Sequence, residues 1–153
     1  MFYYFYDFDI CKMTLAEREG KLIKAKFNKS EEGEMKETPL LKNAALQLKE
    51  YFNGKRKSFD LPILLQGTLF RLKVYEELLK IPYGKTLSYK QIAKNLNKEN
   101  AARAVGGAVH NNPIAIIVPC HRVIGSDNSL TGFAGGLNLK RKLLEIEEIY
   151  IKN

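Results

Sequence analysis

The sequence predicts two domains. An α/β amino-terminal domain over residues 1–64 holds a small antiparallel sheet and a helix, and a mainly α-helical helix-turn-helix domain follows over residues 65–153. Apolar and polar residues alternate early in the chain, as in half-buried strands, and a helical period appears from residue 39 onward. After Gly67 the pattern changes to short helices separated by proline, glycine and asparagine. A length of 153 residues with 45% hydrophobic residues is ordinary for a globular protein of one domain or two small ones.

The amino-terminal domain begins with the aromatic stretch MFYYFYDFDI (1–10). We interpret it as a strand and not a signal peptide, because it contains two aspartates and has no basic leader. In GKLIKAKF (20–27) apolar residues alternate with lysines, which predicts a second strand, and SEEGE (30–34) is expected to be a charged loop. A helix is predicted over 39–52, where an Asn-Gly pair ends it, and FDLP (59–62) is expected to be extended.

Three short helices are predicted in the second domain before its cysteine. The first carries its apolar residues over 70–78, and a capping-box pattern at 88–91 begins the second. The third is predicted over 101–111 with Asn100 as its cap, after a turn at Asn97. Two short helices joined by a tight turn are typical of a helix-turn-helix.

The third of these helices has an unusual composition, AARAVGGAV, in which small residues surround Arg103. Gly106 and Gly107 would each destabilise a helix by about 1 kcal/mol relative to alanine, so the pair indicates a close approach to the backbone. One explanation is tight packing on a neighbouring helix. The other is a smooth face that enters a nucleic-acid groove with Arg103 projecting alone, since a minor groove is only about 6 Å wide.

Charge and cysteine content restrict the partners and the compartment. A net charge of +8 favours a polyanionic partner, DNA or RNA first, although lysines spread along the chain weaken that inference. Cys11 and Cys120 are too few for a disulfide framework, which indicates a reducing, intracellular compartment, and no segment is apolar for long enough to span a membrane. With only His110 and His121 to join the cysteines, and no CxxC or HxxxH spacing, we expect no metal. We interpret Cys11 as buried and inert, and His110 as a surface or phosphate-facing residue.

The stretch IIVPCHRVIG (116–125) contains the candidate nucleophile. Residues 114–118 are apolar and predict a buried strand or strand-like segment, which Pro119 ends, so Cys120 lies where a core element opens onto a loop. A free thiol has a pKa of about 8.5 and only the thiolate attacks, so a base is needed, and His121 is the candidate. Adjacent side chains in extended backbone point to opposite faces. Either the chain turns sharply here, or a water relays the proton.

A carboxylate in the last helix is a candidate orienter of that base. Glu147 falls inside the apolar arc of the helix, which is formed by Leu139, Leu143, Leu144, Ile146 and Ile149. An unpaired carboxylate on such a face is strongly destabilising. His121 is one candidate partner, which would give a Cys120–water–His121–Glu147 relay. The alternative is a glutamate at the helix end that reaches solvent.

Four stretches together resemble a known family: YFNGKRKSFDLP (51–62), GTLFRLKVYEELLKIPYGKTLSYKQIA (67–93), ARAVGGAVHNNPIAIIVPCHRVIG (102–125) and GFAGGLNLKRKLLEIE (132–147). PCHRV is highly specific when Asn-Pro lies seven residues upstream, RAVG precedes it and GG–LKRxLLExE follows. The chain resembles the O(6)-alkylguanine-DNA alkyltransferases, also called methylated-DNA–protein-cysteine methyltransferases. The first 50 residues match only in their general strand–strand–helix organisation.

The resemblance implies single-turnover DNA repair by the second domain. The family binds duplex DNA through a helix-turn-helix in the minor groove, flips the damaged guanine out of the stack and moves its alkyl group irreversibly onto a cysteine. It implies that Cys120 is the nucleophile, that His121 is a base acting through water, and that Glu147 orients it. Asn112 would support the hydrogen bonds around the cysteine, and Tyr89 would hydrogen-bond or protonate the departing guanine.

The same resemblance implies the residues that hold DNA and the flipped base. Arg103 would fill the space that the base leaves, with further DNA contacts at Ser88, Tyr89, Ala102 and Gly106. The base itself would meet Tyr89, Val123, Phe133 and Ala134, with backbone groups at Val123 and Ala134. We expect a monomer that acts on double-stranded DNA containing alkylated guanine, with no cofactor, no metal and no membrane. The expected location is the cytoplasm, at the nucleoid through DNA, or the nucleus in a eukaryote.

Two positions depart from the family pattern, and three alternatives stay open. Phe133 and Ala134 stand where most relatives have a tyrosine and a serine. We expect activity to be kept, and the property that these replacements affect is the tolerance of bulky alkyl groups. A non-catalytic sensor of alkylated DNA from the same superfamily would generally lack Cys120. A helix-turn-helix regulator with a structural cysteine would carry more long polar side chains on its recognition helix. A cysteine hydrolase would need an oxyanion hole and turnover.

Overall fold

The computed structural model of the chain describes residues 1–151, and these form two compact units. The first contains residues 1–66 and 113–117, and the second contains residues 67–112 and the chain from Val118 onward. The short return of the chain to the first unit has a backbone cause. The Ala25 N–H donates to the Pro113 carbonyl at 2.8 Å, and the Ala115 N–H donates to the Ala25 carbonyl at 3.0 Å.

The first unit contains a four-stranded sheet whose strands, in chain order, are β1 (Phe2–Asp7), β2 (Lys12–Arg18), β3 (Lys21–Lys26) and β4 (Glu34–Met35). The spatial order is β3-β2-β1-β4, and β1, β2 and β3 pair antiparallel, as the predicted sheet does. β4 pairs parallel with β1, so the sheet is mixed and the prediction of a purely antiparallel sheet is wrong. The predicted loop over 30–34 ends in β4, where the Glu34 N–H donates to the Met1 carbonyl.

The helix α1 (Pro39–Phe52) has the bounds that the sequence predicts. Thr38 caps its first turn by accepting a hydrogen bond from the Leu41 N–H at 3.2 Å. The helix ends before Gly54, which adopts a φ of 72° that favours glycine. Its apolar face packs on β1, β2 and β3 and is buried at Leu41, Ala44, Ala45, Leu48 and Tyr51.

The second unit holds four helices: α2 (Leu69–Leu79), α3 (Tyr89–Asn95), α4 (Ala102–His110) and α5 (Leu137–Ile146). The capping box of α3 is present, with Ser88 and Gln91 bonded reciprocally. Asn100 does not cap α4, so that prediction is wrong. Because the Ala101 N–H donates to the Lys98 carbonyl at 2.9 Å, Asn100 lies inside a turn and Ala101 takes the cap position without a side-chain bond.

Two short strands in the second unit were not predicted, and one predicted strand is absent. β5 (Leu87–Ser88) pairs parallel with β6 (Val123–Ile124), which fixes the start of α3 beside the chain around Cys120. Residues 114–118 are buried but form only isolated bridges, because Ile116 adopts a φ of 71° that breaks extended backbone. Of the two predicted forms, a buried strand or a strand-like segment, the regular strand is absent, and the predicted burial is confirmed.

α5 is shorter than the predicted apolar arc. It ends at Ile146 with Glu147 at the cap, because Glu148 adopts a φ of 62°, so Ile149 lies beyond the helix. Within residues 1–151, no helix combines the length and the apolarity that crossing a membrane requires.

Candidate active site

The chain turns sharply at the cysteine. Cys120–Arg122 forms one turn of 3-10 helix after Pro119, and Cys120 is only 5% exposed. The Arg122 N–H closes the turn on the Pro119 carbonyl at 3.1 Å. Asn112 holds the approach to this turn, since its Nδ2 donates to the Val118 carbonyl at 2.8 Å. The sharp turn is the first of the two arrangements that the sequence left open.

The structure brings His121 and Glu147 together in the interior. His121 Nε2 lies 2.7 Å from Glu147 Oε2, and neither side chain has any exposure to solvent. The second carboxylate oxygen, Oε1, accepts from Arg122 Nε and from the Gly84 N–H, each at 2.9 Å. Glu147 therefore does not reach solvent at the helix end, and both of its carboxylate oxygens take part in hydrogen bonds.

The protonation states of this group follow from burial and neighbouring charge. Burial alone would raise the pKa of Glu147, but the hydrogen bonds from His121, Arg122 and Gly84 lower it to about 2. Burial lowers the pKa of His121, and the hydrogen bond and charge of Glu147 offset this only in part. The pair is therefore a neutral imidazole beside an ionised carboxylate. Because an ionised carboxylate only accepts, Nε2 carries the ring proton and Nδ1 is unprotonated.

Arg122 belongs to the same buried hydrogen-bonded group, and the sequence did not point to it. Besides Glu147, its guanidinium donates through Nη1 to the Ile81 carbonyl at 2.7 Å and lies over the Tyr83 ring, 5.8 Å from the centroid. The arginine thus supplies the positive charge that balances the buried carboxylate. The sequence shows that Arg122 directly follows the Cys-His pair, but it does not indicate that the Arg122 side chain turns inward.

Lys140 is a second missed residue. Its side chain is fully buried, and Nζ donates to the Val123 carbonyl at 2.6 Å and the Thr131 carbonyl at 3.0 Å. Burial lowers the pKa of Lys140 to about 8, and the charge of a Cys120 thiolate acts against that shift. A helical-wheel signal was available, because Lys140 lies seven residues before Glu147 and therefore on the same arc.

Tyr89 begins α3 and lies near enough to Cys120 for their charges to interact. It follows β5 directly, is half-buried, and its hydroxyl lies 2.8 Å from Thr131 Oγ1. Burial and the charge of a Cys120 thiolate raise the pKa of Tyr89, while the Thr131 hydrogen bond acts in the opposite direction.

A pocket of about 580 Å³ opens beside Tyr89. It is lined by Tyr89, Lys90, Ala102, Arg103, Gly106, Gly125, Ser126, Asp127, Ser129 and Thr131. Four of the predicted DNA-binding residues thus share one surface.

The remaining predicted DNA- and base-binding residues are not among those that line this pocket. Ser88 is buried and its hydroxyl caps α3, so a DNA contact would have to use its backbone. The Val123 carbonyl accepts from Lys140, which leaves one lone pair for a base. Phe133 is half-buried and Ala134 is exposed, in the turn that the Gly136 N–H closes on the Phe133 carbonyl.

The glycines of α4 are not required by tight packing on a neighbouring helix, because a Cβ would fit at both positions. A Cβ built at Gly107 would meet no atom within 4 Å among the described residues, and one at Gly106 would meet only the Tyr89 ring at 3.8 Å. The tight-packing explanation is therefore wrong. The glycine face is open, beside exposed Arg103.

No group of three or more potential metal ligands occurs among the side chains of residues 1–151. Cys11 is half-buried, so its predicted burial is only partly correct. Burial and the charge of Asp7 raise the pKa of Cys11 to about 12, so its thiol stays protonated.

Comparison with known proteins matches both parts of the chain. Residues 1–65 match the family model described as 6-O-methylguanine DNA methyltransferase, ribonuclease-like domain, and residues 69–149 match that described as 6-O-methylguanine DNA methyltransferase, DNA binding domain. A methylated-DNA–protein-cysteine methyltransferase of Methanosarcina barkeri is 55% identical over 107 residues, which are 70% of this chain and 68% of that protein.

Solved structures give the same picture. The crystal structure of Mycobacterium tuberculosis OGT in complex with DNA has a TM-score of 0.90 and 42% identity, and covers 97% of this chain and 93% of that one. The structure of S. pombe Atl1 in complex with damaged DNA containing O6-carboxymethylguanine has a TM-score of 0.51 and 34% identity, over 57% of this chain and 83% of that one. The first likeness extends through both units, and the second through little more than half of the chain.

Proposed function

The chain belongs to the 6-O-methylguanine DNA methyltransferase family, and on that premise we propose that it repairs DNA by direct reversal, as a methylated-DNA–protein-cysteine methyltransferase. It moves an alkyl group from O6 of guanine in duplex DNA to Cys120, irreversibly and once per molecule. The observation that carries this assignment is the buried pair of His121 and Glu147, whose side chains lie 2.7 Å apart. His121 directly follows Cys120 in a tight turn. A cysteine so placed has a base and an orienter for that base.

Activation of the thiol is the first step. His121 takes the Cys120 proton at Nδ1 through a water, while Nε2 stays bonded to Glu147. The imidazolium that forms is stabilised by the ionised carboxylate, because Glu147 keeps its charge down to a pH of about 2. Lys140, whose pKa of about 8 leaves it mainly protonated at neutral pH, adds a buried positive charge that favours the thiolate.

Transfer then exchanges one bond for another. The Cys120 sulfur forms a bond to the alkyl carbon as the bond from that carbon to guanine O6 breaks, and the electron pair passes into the guanine ring. Tyr89 donates a proton to the departing guanine. The thioether has no leaving group that the site can expel, so the protein does not turn over.

We assign DNA binding to the surface formed by Tyr89, Ala102, Arg103 and Gly106. In this proposal α3 and α4 act as a helix-turn-helix, and the open glycine face of α4 enters the minor groove. Arg103 is exposed near the start of α4, where its side chain fills the space left by the flipped guanine. Phe133 and backbone groups of Val123 and Ala134 contact the base, which enters the pocket beside Tyr89.

The alternatives receive less support. A damage sensor without chemistry has no use for the buried Cys120, His121 and Glu147 arrangement, and the likeness to Atl1 extends over only 57% of the chain. A regulator that reads base edges would need more than one long polar side chain on the exposed face of α4. We further propose that the protein acts as a monomer, without metal or cofactor, in whichever compartment holds the DNA.

The test is the intact mass of the protein after incubation with duplex DNA carrying O6-methylguanine. We expect one added methyl per molecule, on Cys120, with guanine restored in the DNA. Cys120→Ala should gain no mass, and Cys11→Ala is the matched control that should react like the unmodified chain, because the Cys11 thiol stays protonated. Tight binding without a mass change would instead support the damage sensor.

A further inference from the structure

We propose that Thr131 is a positioning residue for alkyl transfer: its hydroxyl orients the Tyr89 hydroxyl toward the departing guanine and stabilises the phenolate that remains. This inference rests on the proposed function and adds to it a residue outside the family motif residues assigned above. It starts from one contact, the 2.8 Å hydrogen bond between Thr131 Oγ1 and the Tyr89 hydroxyl, which joins positions 42 residues apart.

A hydrogen bond from the buried Lys140 side chain holds the backbone of Thr131 in place. Lys140 Nζ donates to the Thr131 carbonyl at 3.0 Å and to the Val123 carbonyl at 2.6 Å, so one buried ammonium fixes both ends of the loop from Val123 to Thr131. The Thr131 side chain then projects into the pocket that Tyr89 also lines. A loop that is held at both ends can keep the Thr131 side chain at a set distance from Tyr89 at the start of α3.

The direction of this hydrogen bond decides what Tyr89 can do. Each hydroxyl has one proton and two lone pairs. When Thr131 donates to the Tyr89 oxygen, the single Tyr89 proton points away from Thr131. That proton is then available to the flipped alkylguanine. When the C–O bond of the alkylguanine breaks, its electron pair enters the guanine ring, the ring takes the Tyr89 proton, and the Tyr89 oxygen becomes negatively charged.

A hydrogen bond to a charged acceptor is stronger than one to a neutral acceptor. The Thr131 contact therefore strengthens as the phenolate forms, which lowers the barrier and not only the energy of the bound state. The titration of Tyr89 agrees with this geometry: burial raises the pKa of Tyr89, and the Thr131 hydrogen bond lowers it. Without Thr131, Tyr89 would be a poorer acid in the same place.

The experiment compares Thr131→Val, which keeps the shape and removes the hydroxyl, with Thr131→Ser, which keeps the hydroxyl. The readout is the first-order rate of methyl transfer from duplex O6-methylguanine at saturating protein. We expect Thr131→Val to slow transfer by about 10-fold or more, the effect of losing a hydrogen bond to a charged group, and Thr131→Ser to restore most of the rate.

Two further readouts separate positioning from structural support. Alkylation of Cys120 by iodoacetamide needs a thiolate but no guanine protonation, so its rate should be unchanged in Thr131→Val. In a Tyr89→Phe background, Thr131→Val should cause no further loss, because it acts through the Tyr89 hydroxyl. Equal losses toward DNA and iodoacetamide, additive losses in the double variant, or no loss at all would each overturn the proposal. An unmodified chain that gains no methyl would refute the proposed function instead, so the two failures are distinguishable.

Discussion

Two carboxylates in this molecule have a similarly lowered pKa but lie in different surroundings. In the first unit Glu32 pairs with Lys24 and Lys26 at 2.7 and 2.9 Å, and in the second unit Glu147 binds His121 and Arg122 at the same two distances. For both, burial acts to raise the pKa and hydrogen-bonded partners lower it to about 2. The partners of Glu32 are lysines whose side chains are 29% and 40% exposed, whereas the His121 and Arg122 side chains that hold Glu147 are 0% and 8% exposed.

The difference in surroundings decides what each pair contributes. Exposed lysines are flexible and hydrated, so the ion pairs of Glu32 are screened by solvent and salt. Glu147 is held by the backbone of Gly84, by a planar guanidinium and by an imidazole, and none of these can be replaced by water without opening the core. A lowered carboxylate pKa therefore does not identify a functional site by itself; burial together with rigid donors does.

The largest expected effect comes from removing the buried charge. Glu147→Gln should destabilise folding by about 3–5 kcal/mol, because it leaves Arg122 buried without its counter-charge, and should slow methyl transfer by about 100-fold through loss of the oriented base. Urea unfolding and single-turnover kinetics measure the two quantities. Glu32→Gln is the matched control, with an expected loss below about 1 kcal/mol and no change in transfer rate.

The same comparison has a pH form with a definite sign. A folded-state pKa of about 2 lies below the ordinary carboxyl value, so the stability that Glu147 contributes is present above about pH 4.5 and is lost as pH falls toward 2. Glu32 has the same window. In 1 M salt, at about 3 Å screening length, we expect the Glu32 contribution to vanish and that of Glu147 to persist. If both vanish, the distinction between the two carboxylates is wrong.

Arg103 extends the comparison to an exposed cation of the second unit. Arg103→Ala should change the free energy of unfolding by no more than about 0.5 kcal/mol, since the side chain is exposed. It should slow repair of duplex DNA by about 10- to 100-fold, because keeping a guanine unstacked costs a few kcal/mol. Transfer from free O6-alkylguanine base, measured in parallel, should change little. Equal losses on duplex and free base would contradict the base-flipping role.

Much of the fold followed from the sequence where the cause is local. α1 and α3 have cap residues and apolar periods within their own segments, so the expected bounds of α1 and the capping box of α3 are both present. β2 carries no visible alternation, because residues 13–17 are buried one after another. The pair β5–β6 is two residues long in each strand and joins positions 36 apart, Leu87 and Val123, so no local pattern could indicate it.

The site divides in the same way. The helical arc of α5 drew attention to Glu147 because a carboxylate is unexpected there, and Lys140 lies on the same arc, but a long lysine can usually reach solvent from such a position. Only the structure shows that Lys140 turns inward to two carbonyls. The contact of Thr131 with Tyr89 depends on that anchoring, and neither residue type carries a sign of it.

Lys140 is a further buried charge, and it changes stability at alkaline pH, whereas Glu147 does so at acidic pH. Because its folded-state pKa of about 8 lies below the ordinary lysine value of about 10.4, the folded protein releases this proton first as pH rises. Stability should therefore rise between about pH 8 and 10.4, by at most about 1.4 kcal/mol per pH unit. Lys140→Met should remove this rise, measured by urea unfolding in a Cys120→Ser background so that the thiol does not titrate. A rise of equal slope in Lys140→Met would assign it to another group.

The smallest expected effects test the open face of α4 with two neighbouring glycines. Gly106→Ala and Gly107→Ala should each raise the free energy of unfolding by up to about 1 kcal/mol, because a Cβ fits at both positions and alanine favours the helix. Only Gly106 lines the pocket with Arg103, so only Gly106→Ala should weaken duplex binding, by a few-fold in a titration at fixed salt. Equal weakening by both would mean that the whole glycine pair approaches the DNA, and no weakening by either would remove α4's glycine face from the DNA interface. In that last case the glycines would have to serve the free protein, where a Cβ would fit at both positions and glycine is not needed for packing.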